Sequence, residues 1–215
     1  MPTRSATMKL LFNSLLLLMC LLGFVACEDD DEKDGNYPSL YTDMLCVSTA
    51  ADGTLTTAIL DNGEHYDVSA QGLASSTSDA TLRCLASYTL NNGSLKLRSI
   101  ARVFSDDPYP VESFFGSVVR YDPSLLPRDP VKLISMWKSG GYINLHLGVL
   151  TTGQGTHSYA FCRDEDGAYS LLHLRPQGDA ESYTEHLYMS MPIPEGMEHL
   201  SFSVYTYDGV YTRTF

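Results

Sequence analysis

The chain has 215 residues, 44% hydrophobic and 19% charged, and its 14 Lys and Arg against 26 Asp and Glu give a net charge of −12. It contains no run of Lys or Arg, so it lacks an electrostatic route onto a phosphate backbone, and nucleic-acid binding is set aside. Gly and Pro together number 26, an ordinary share that excludes a collagen-like or broadly disordered body.

Arg4 and Lys9 precede an apolar stretch, and Leu15 to Ala26 runs without a polar side chain. That is shorter than the roughly 20 apolar residues a membrane-spanning helix needs, and it fits the core of an export signal. The stretch ends Phe24-Val25-Ala26-Cys27, which resembles a bacterial lipobox with Phe24 where leucine is usual. Residues 1–26 are therefore expected to be a lipoprotein signal peptide and Cys27 the lipidated first residue of the mature chain. Met8-Lys9 would also serve as a start. Acyl chains contribute about 0.8 kcal/mol per buried methylene, and the several chains of a lipoprotein cysteine make a firm membrane anchor. The mature chain would keep 12 basic and 26 acidic residues.

Glu28, Asp29, Asp30, Asp31 and Glu32 follow at once, then Lys33 and Asp34. Like charges with nothing apolar to bury cannot fold alone, so residues 27–36 are expected to be a solvated tether. The same acids resemble the export signal of surface lipoproteins in the Bacteroidota. They would also hold the body off an anionic membrane over about 8 Å.

From residue 37 the pattern is that of strands. Leu40–Thr49, Thr54–Leu60 and Glu64–Val68 are separated by Ala51-Asp52-Gly53 and by Asp61-Asn62-Gly63, where Asn-Gly suits a type I′ hairpin turn. A polar loop, Ser69–Asp79, precedes Ala80–Leu90 and Ser94–Phe104, which flank Asn91-Asn92-Gly93. Five strands of this size suit an OB-like barrel over residues 37–106. Residues 107–130 hold Pro108, Pro110, Pro123, Pro127 and Pro130, and proline does not serve a central strand, so this is a connecting segment. Val111, Phe114, Phe115, Val118 and Val119 are too apolar to stay in water, so the segment should pack between the domains or add a short strand.

Residues 131–215 predict seven strands: Val131–Trp137, Tyr142–Leu150, His157–Arg163, Tyr169–Arg175, Tyr183–Met191, Leu200–Tyr207 and Val210–Phe215. Tyr142–Leu150 alternates, with Ile143, Leu145, Leu147 and Val149 on one face and Asn144 and His146 on the other. The pattern fits an immunoglobulin-like β-sandwich, without the Cys-Trp-Cys signature of antibody domains. Trp137 is expected in its core. The fold class is thus all-β, a barrel followed by a sandwich.

The search for chemistry is lean. Cys46, Cys84 and Cys162 remain after the signal and Cys27; Cys46 and Cys84 lie on strands that neighbour each other in an OB barrel and form a possible disulfide. Otherwise they are buried apolar side chains. His146 and His173 both read as pointing away from the core and could meet on the sheet surface, but a tight metal site needs further ligands, and solvated histidines are the plainer reading. No G-x-S-x-G occurs. Asp106-Asp107 and Asp164-Glu165-Asp166 read as turns, and the latter lacks the calcium-loop spacing. Gly153 and Gly155 form a loop. No catalytic residue, metal ligand or cofactor is expected. Tyr183, Tyr188, Tyr205, Tyr207 and Tyr211 read mainly as cross-strand packing, some as a binding face.

Two stretches carry a family resemblance. Tyr37-Pro38-Ser39-Leu40-Tyr41-Thr42-Asp43-Met44 with the Asp52-Gly53 and Asp61-Asn62-Gly63 turns, and Asp129–Trp137 with Gly141–Gly148, resemble NigD-like lipoproteins of the Bacteroidota. The resemblance implies an N-terminal OB domain and a C-terminal β-sandwich. It implies no functional residues, and the family name reflects a bacteriocin gene cluster. The expectation is a non-enzymatic outer-membrane or surface lipoprotein, held by its lipid and binding an extracellular protein or glycan, with the face of Thr54–Leu60 and Glu64–Val68 and the second-domain loops as the place to look. A bacteriocin-cluster accessory or self-protection role is the alternative. A hydrolase with an unrecognised site ranks lower.

Overall fold

The computed structural model describes residues 38–70, 72–114 and 123–215. Cys27 and the acidic residues Glu28, Asp29, Asp30, Asp31 and Glu32 lie outside the described residues, as do Phe115, Val118 and Val119 of the connecting segment.

Strands β1 (Leu40–Thr49), β2 (Leu55–Leu60), β3 (His65–Ser69), β4 (Thr81–Asn91) and β5 (Ser94–Arg102) close a barrel in the order β1-β2-β3-β5-β4. The β3–β5 pair is parallel and the others antiparallel, which is the OB arrangement. Leu45, Val47, Ala58, Tyr88 and Leu95 fill the interior. The two Asn-Gly turns differ. Asn92 and Gly93 both take positive φ, as a type I′ turn requires, whereas only Gly63 does so in the other. There Asn62 Oδ1 accepts the Glu64 N–H at 2.9 Å, a local bond that holds Asn62 out of the left-handed region.

The barrel keeps its five expected strands, but the fifth ends at Arg102 and not at Phe104. Phe104–Ser105 (β6) leaves β5 and pairs with the sandwich, and Tyr109–Pro110 (β7) does the same on the other sheet. The sandwich stacks two sheets. One runs β6-β12-β9-β8, with β8 Lys132–Ser139, β9 Tyr142–Thr151 and β12 Tyr183–Pro192. The other runs β14-β13-β11-β10-β7, with β10 Ser158–Arg163, β11 Tyr169–Leu174, β13 Ser201–Thr206 and β14 Gly209–Thr214. Ile143, Leu145, Leu147 and Val149 point into the core, as their alternation predicts, against Phe161, Leu171, Phe202 and Val204.

Described parts of the proline-rich segment cover the second sheet. Val111 and Leu126 pack on Cys162 and Leu172 from outside, and residues 127–129 bridge to β11 through the His173 N–H to Pro127 O and the Asp129 N–H to His173 O. Both faces of β11 are therefore buried. The expected orientation of His173 is corrected on this ground: Leu172 faces outward under the cover, and His173 faces inward with Leu171 and Tyr169, 2% exposed.

Trp137 also departs from expectation. Met136 takes the core position on β8, so Trp137 projects from the outer face, half-buried, toward the barrel. That outer face meets β1 and β4 of the barrel, which buries Asn144, a residue whose strand position alone reads as solvent-facing.

Candidate functional site

Three polar assemblies stand out. The first joins the two domains. Arg83 on β4 is opposite Cys46 on β1 and leaves the barrel on its outer face. Its guanidinium grips both oxygens of Asp61 at 2.5 and 2.8 Å, donates to Asn144 Oδ1 at 3.1 Å and Ser190 Oγ at 3.3 Å, and lies 4.3 Å over the Tyr142 ring. Ser139 Oγ donates to Asp61 Oδ2 at 2.5 Å, and Asn144 Nδ2 to Ser139 at 3.0 Å. Burial works against the Arg83 charge, but Asp61 outweighs it and holds the guanidinium pKa above its ordinary value. Gly140 passes so close that a Cβ there would land on the Asp61 carboxylate. This is a brace with its donors and acceptors matched.

Cys46 belongs to this brace, 3.6 Å from the Tyr142 hydroxyl, and burial first, then Cys46, pushes the Tyr142 pKa up to about 12. Cys84 is opposite Leu45 and faces the barrel interior. The strands are neighbours as expected, but the register puts the two sulfurs on opposite faces, so the expected Cys46–Cys84 disulfide is not made and both thiols are free.

The second assembly caps one end of the sandwich core. His157 Nε2 meets Asp179 Oδ2 at 2.8 Å, His157 Nδ1 meets His173 Nε2 at 2.8 Å, and His173 Nδ1 meets the Asp129 carbonyl at 3.0 Å. Thr152 donates its N–H and its hydroxyl to Asp179 Oδ1, at 2.8 and 2.5 Å. The carbonyl and the carboxylate can only accept, and the contact between the rings needs one proton more. His146 and His173 are not brought together, since they sit in different sheets; each has another histidine partner. His146 meets His186 at 3.1 Å and stacks on Tyr188 at 4.3 Å. An i, i+16 histidine pair across a hairpin was the only sequence signal for the buried chain, and nothing local pointed to Asp179.

The third is a groove of about 660 Å³ at the barrel mouth, where β8 and β12 approach β1 and the β2–β3 turn. Tyr41 stacks on Tyr88 with centroids 5.6 Å apart, and Trp137 and Tyr188 enter from the sandwich. Asp43, Asp61 and Glu64 supply carboxylates. Of the predicted binding face, Leu60 at the end of β2 and Glu64 beside β3 contribute; β1 and the sandwich supply most of the rest. A larger groove of about 900 Å³ lies between the edges of β8 and β14, where Lys132 and Arg213 outnumber Asp208 and the apolar Ile134 and Val210 are exposed. Asp164 and Asp166 form a turn, with Asp166 accepting the Ala168 N–H. Among the described residues no three His, Cys, Asp or Glu side chains are grouped to hold a metal.

Barrel, brace and sandwich define a two-module all-β protein with a groove at the junction. Within that class the NigD-like resemblance read from the sequence is borne out. The chain is similar to a NigD-like immunity protein from Bacteroides caccae at 25% identity, over 83% of this chain and 93% of that one, with a TM-score of 0.60. A protein from Parabacteroides distasonis described as toxin-related shares the fold at 16% identity, over 82% and 92% of the chains, with a TM-score of 0.66. One from Bacteroides fragilis described as a lipoprotein shares it at 10% identity, over 83% and 96%, with a TM-score of 0.51. Neither a family model nor a curated protein matches the chain.

Proposed function

We propose that the chain is a non-enzymatic lipoprotein of the outer membrane, carried on the cell surface by Cys27 and its acidic tether, and that its body binds an extracellular protein or glycan. The groove at the barrel mouth supports this reading best. Its volume falls in the range, roughly 300–1,000 Å³, typical of ligand sites. Its rings come from two modules that the Arg83 brace holds in fixed register, so the site is formed before a ligand arrives and little ordering is lost on binding. The polar assemblies elsewhere are spent on internal bonds and offer no reacting group.

Protease shaving of intact cells carrying a C-terminal tag tests the location. The expected outcome is loss of the tag while a periplasmic control survives. A tag protected until the cells are broken would place the partner in the periplasm and overturn the surface reading.

A second reading is self-protection linked to a bacteriocin, favoured by the similarity to a protein described as NigD-like immunity. A deletion strain would then be killed by the culture supernatant of its own parent. Unchanged growth in that supernatant would dismiss it.

A further inference from the structure

We infer that the groove at the barrel mouth is a docking site for a basic protein segment, whose lysine or arginine side chain lies against the rings of Tyr41 and Trp137 and between Asp43 and Glu64. This rests on the binding-module reading above and names the ligand chemistry for that site.

The charges in the groove are unequal. Asp61 is matched by Arg83 behind it. Asp43 and Glu64 are both exposed and have only neutral partners: Asp43 Oδ2 accepts the Tyr88 hydroxyl at 2.9 Å, and Glu64 Oε2 accepts Asn62 Nδ2 at 2.8 Å and the Tyr66 hydroxyl at 3.1 Å. Each has its other oxygen left for a ligand. Among the described residues no Lys or Arg lines the groove. A ligand that covers it removes two carboxylates from water, and only a ligand that brings positive charge replaces what they lose.

The rings point to the same chemistry. Tyr41 is 43% exposed and stacks on Tyr88, and Trp137 and Tyr188 face it from the other module. Aromatic faces attract guanidinium and ammonium groups, most strongly where water is partly excluded. A neutral glycan would stack on the same rings but leave Asp43 and Glu64 desolvated and unpaired. A bare divalent ion is not the complement, since among the described residues no three ligating side chains converge here. The net charge of −12 draws a basic partner in from a distance.

Trp137 is the chain's single tryptophan, so its fluorescence reports on the groove alone. The lipidated full chain in detergent micelles is titrated with an oligolysine peptide, an oligoglutamate of the same length and a neutral malto-oligosaccharide. Only oligolysine is expected to shift Trp137 emission saturably. Asp43→Asn with Glu64→Gln should weaken that binding at least about tenfold, or about 1.4 kcal/mol. Asp67→Asn with Glu165→Gln, exposed acids outside the groove, should change it less than about twofold. All four positions are exposed, so the variants fold. Equal weakening by both pairs would reduce the effect to the general attraction of an acidic chain and overturn the proposal. A saturable shift with the malto-oligosaccharide alone would overturn the basic-segment assignment and leave a glycan-binding module standing. No shift with any probe would overturn both.

Discussion

Replacing Asp61 with alanine will destabilise the protein by about 3–5 kcal/mol, the range for stranding a buried charge. Arg83 has a side chain only 2% exposed, and Asp61 is the acceptor for two of its bonds. Water cannot readily reach the guanidinium, and the neutral oxygens of Asn144 and Ser190 do not balance it. Arg83→Met should cost less, because it removes the charge and leaves Asp61 with Ser139 and partial access to solvent. A double-mutant cycle in urea, with the two variants and their combination, measures the coupling. The unfolding curve should also change shape. The intact brace ties barrel and sandwich into one transition, and Asp61→Ala should let the barrel melt first. A loss below about 1 kcal/mol, in one undivided transition, would show that the brace is a minor contact.

Acid will weaken the protein in two stages. The first belongs to His173. Burial, and after it the neighbouring His157 and Arg175, lower its pKa below 6.5 against the opposing pull of Asp129. The unfolded imidazole takes a proton near pH 6.5 and the folded one refuses it, so unfolding takes up a proton and stability falls as pH drops through 6.5 toward the lower folded value. The slope approaches at most about 1.4 kcal/mol per pH unit for one such group. His146, lowered by its own burial and by His186, contributes in the same direction. The second stage belongs to Asp179. The Thr152 hydroxyl and N–H hold its pKa below 3.8, so its contribution is present above that pH and is lost as acid protonates it. Urea midpoints at intervals from pH 7 to pH 3 should show both stages. His173→Asn should flatten the first and spare the second. A midpoint that stays level between pH 7 and pH 5 would contradict the assignment.

Much of this fold was legible because most strands follow the period of two and the hairpin turns carry Gly. The predicted strands fall within a few residues of the observed ones, but the chain passes from barrel to sandwich at Phe104, ahead of the proline-rich segment. What escaped has one physical cause. A strand's alternation tells which residues share a face, and not what covers that face. Asn144 and Trp137 were assigned by the usual partition of polar out and apolar in, but the barrel lies over the outer face of their sheet. On β11 the cover includes Val111 and Leu126 of the connecting segment, so Leu172 is buried as well as Leu171, and His173, between Leu172 and Leu174, reads as the odd one out. The groove was half legible. Leu60 and Glu64 lie on the face named in advance, but Tyr41, Trp137 and Tyr188 are far apart in sequence and meet only through the closed barrel and the brace.

The topology of β1 bears on how the body would carry a pull. Force transmitted along the chain from its N-terminal side enters the barrel at Leu40, along the axis of a strand bonded to β4 from Leu40 to Ser48 and to β2 from Leu45 to Thr49. A pull in that direction loads both ladders in shear, many bonds at once, where a pull across the strand would open them one by one. Cys46 sits on the same strand and touches Tyr142 of the sandwich, so the load reaches the second module through the brace. Under the anchoring proposed for Cys27, β1 would be the mechanical anchor of the whole body.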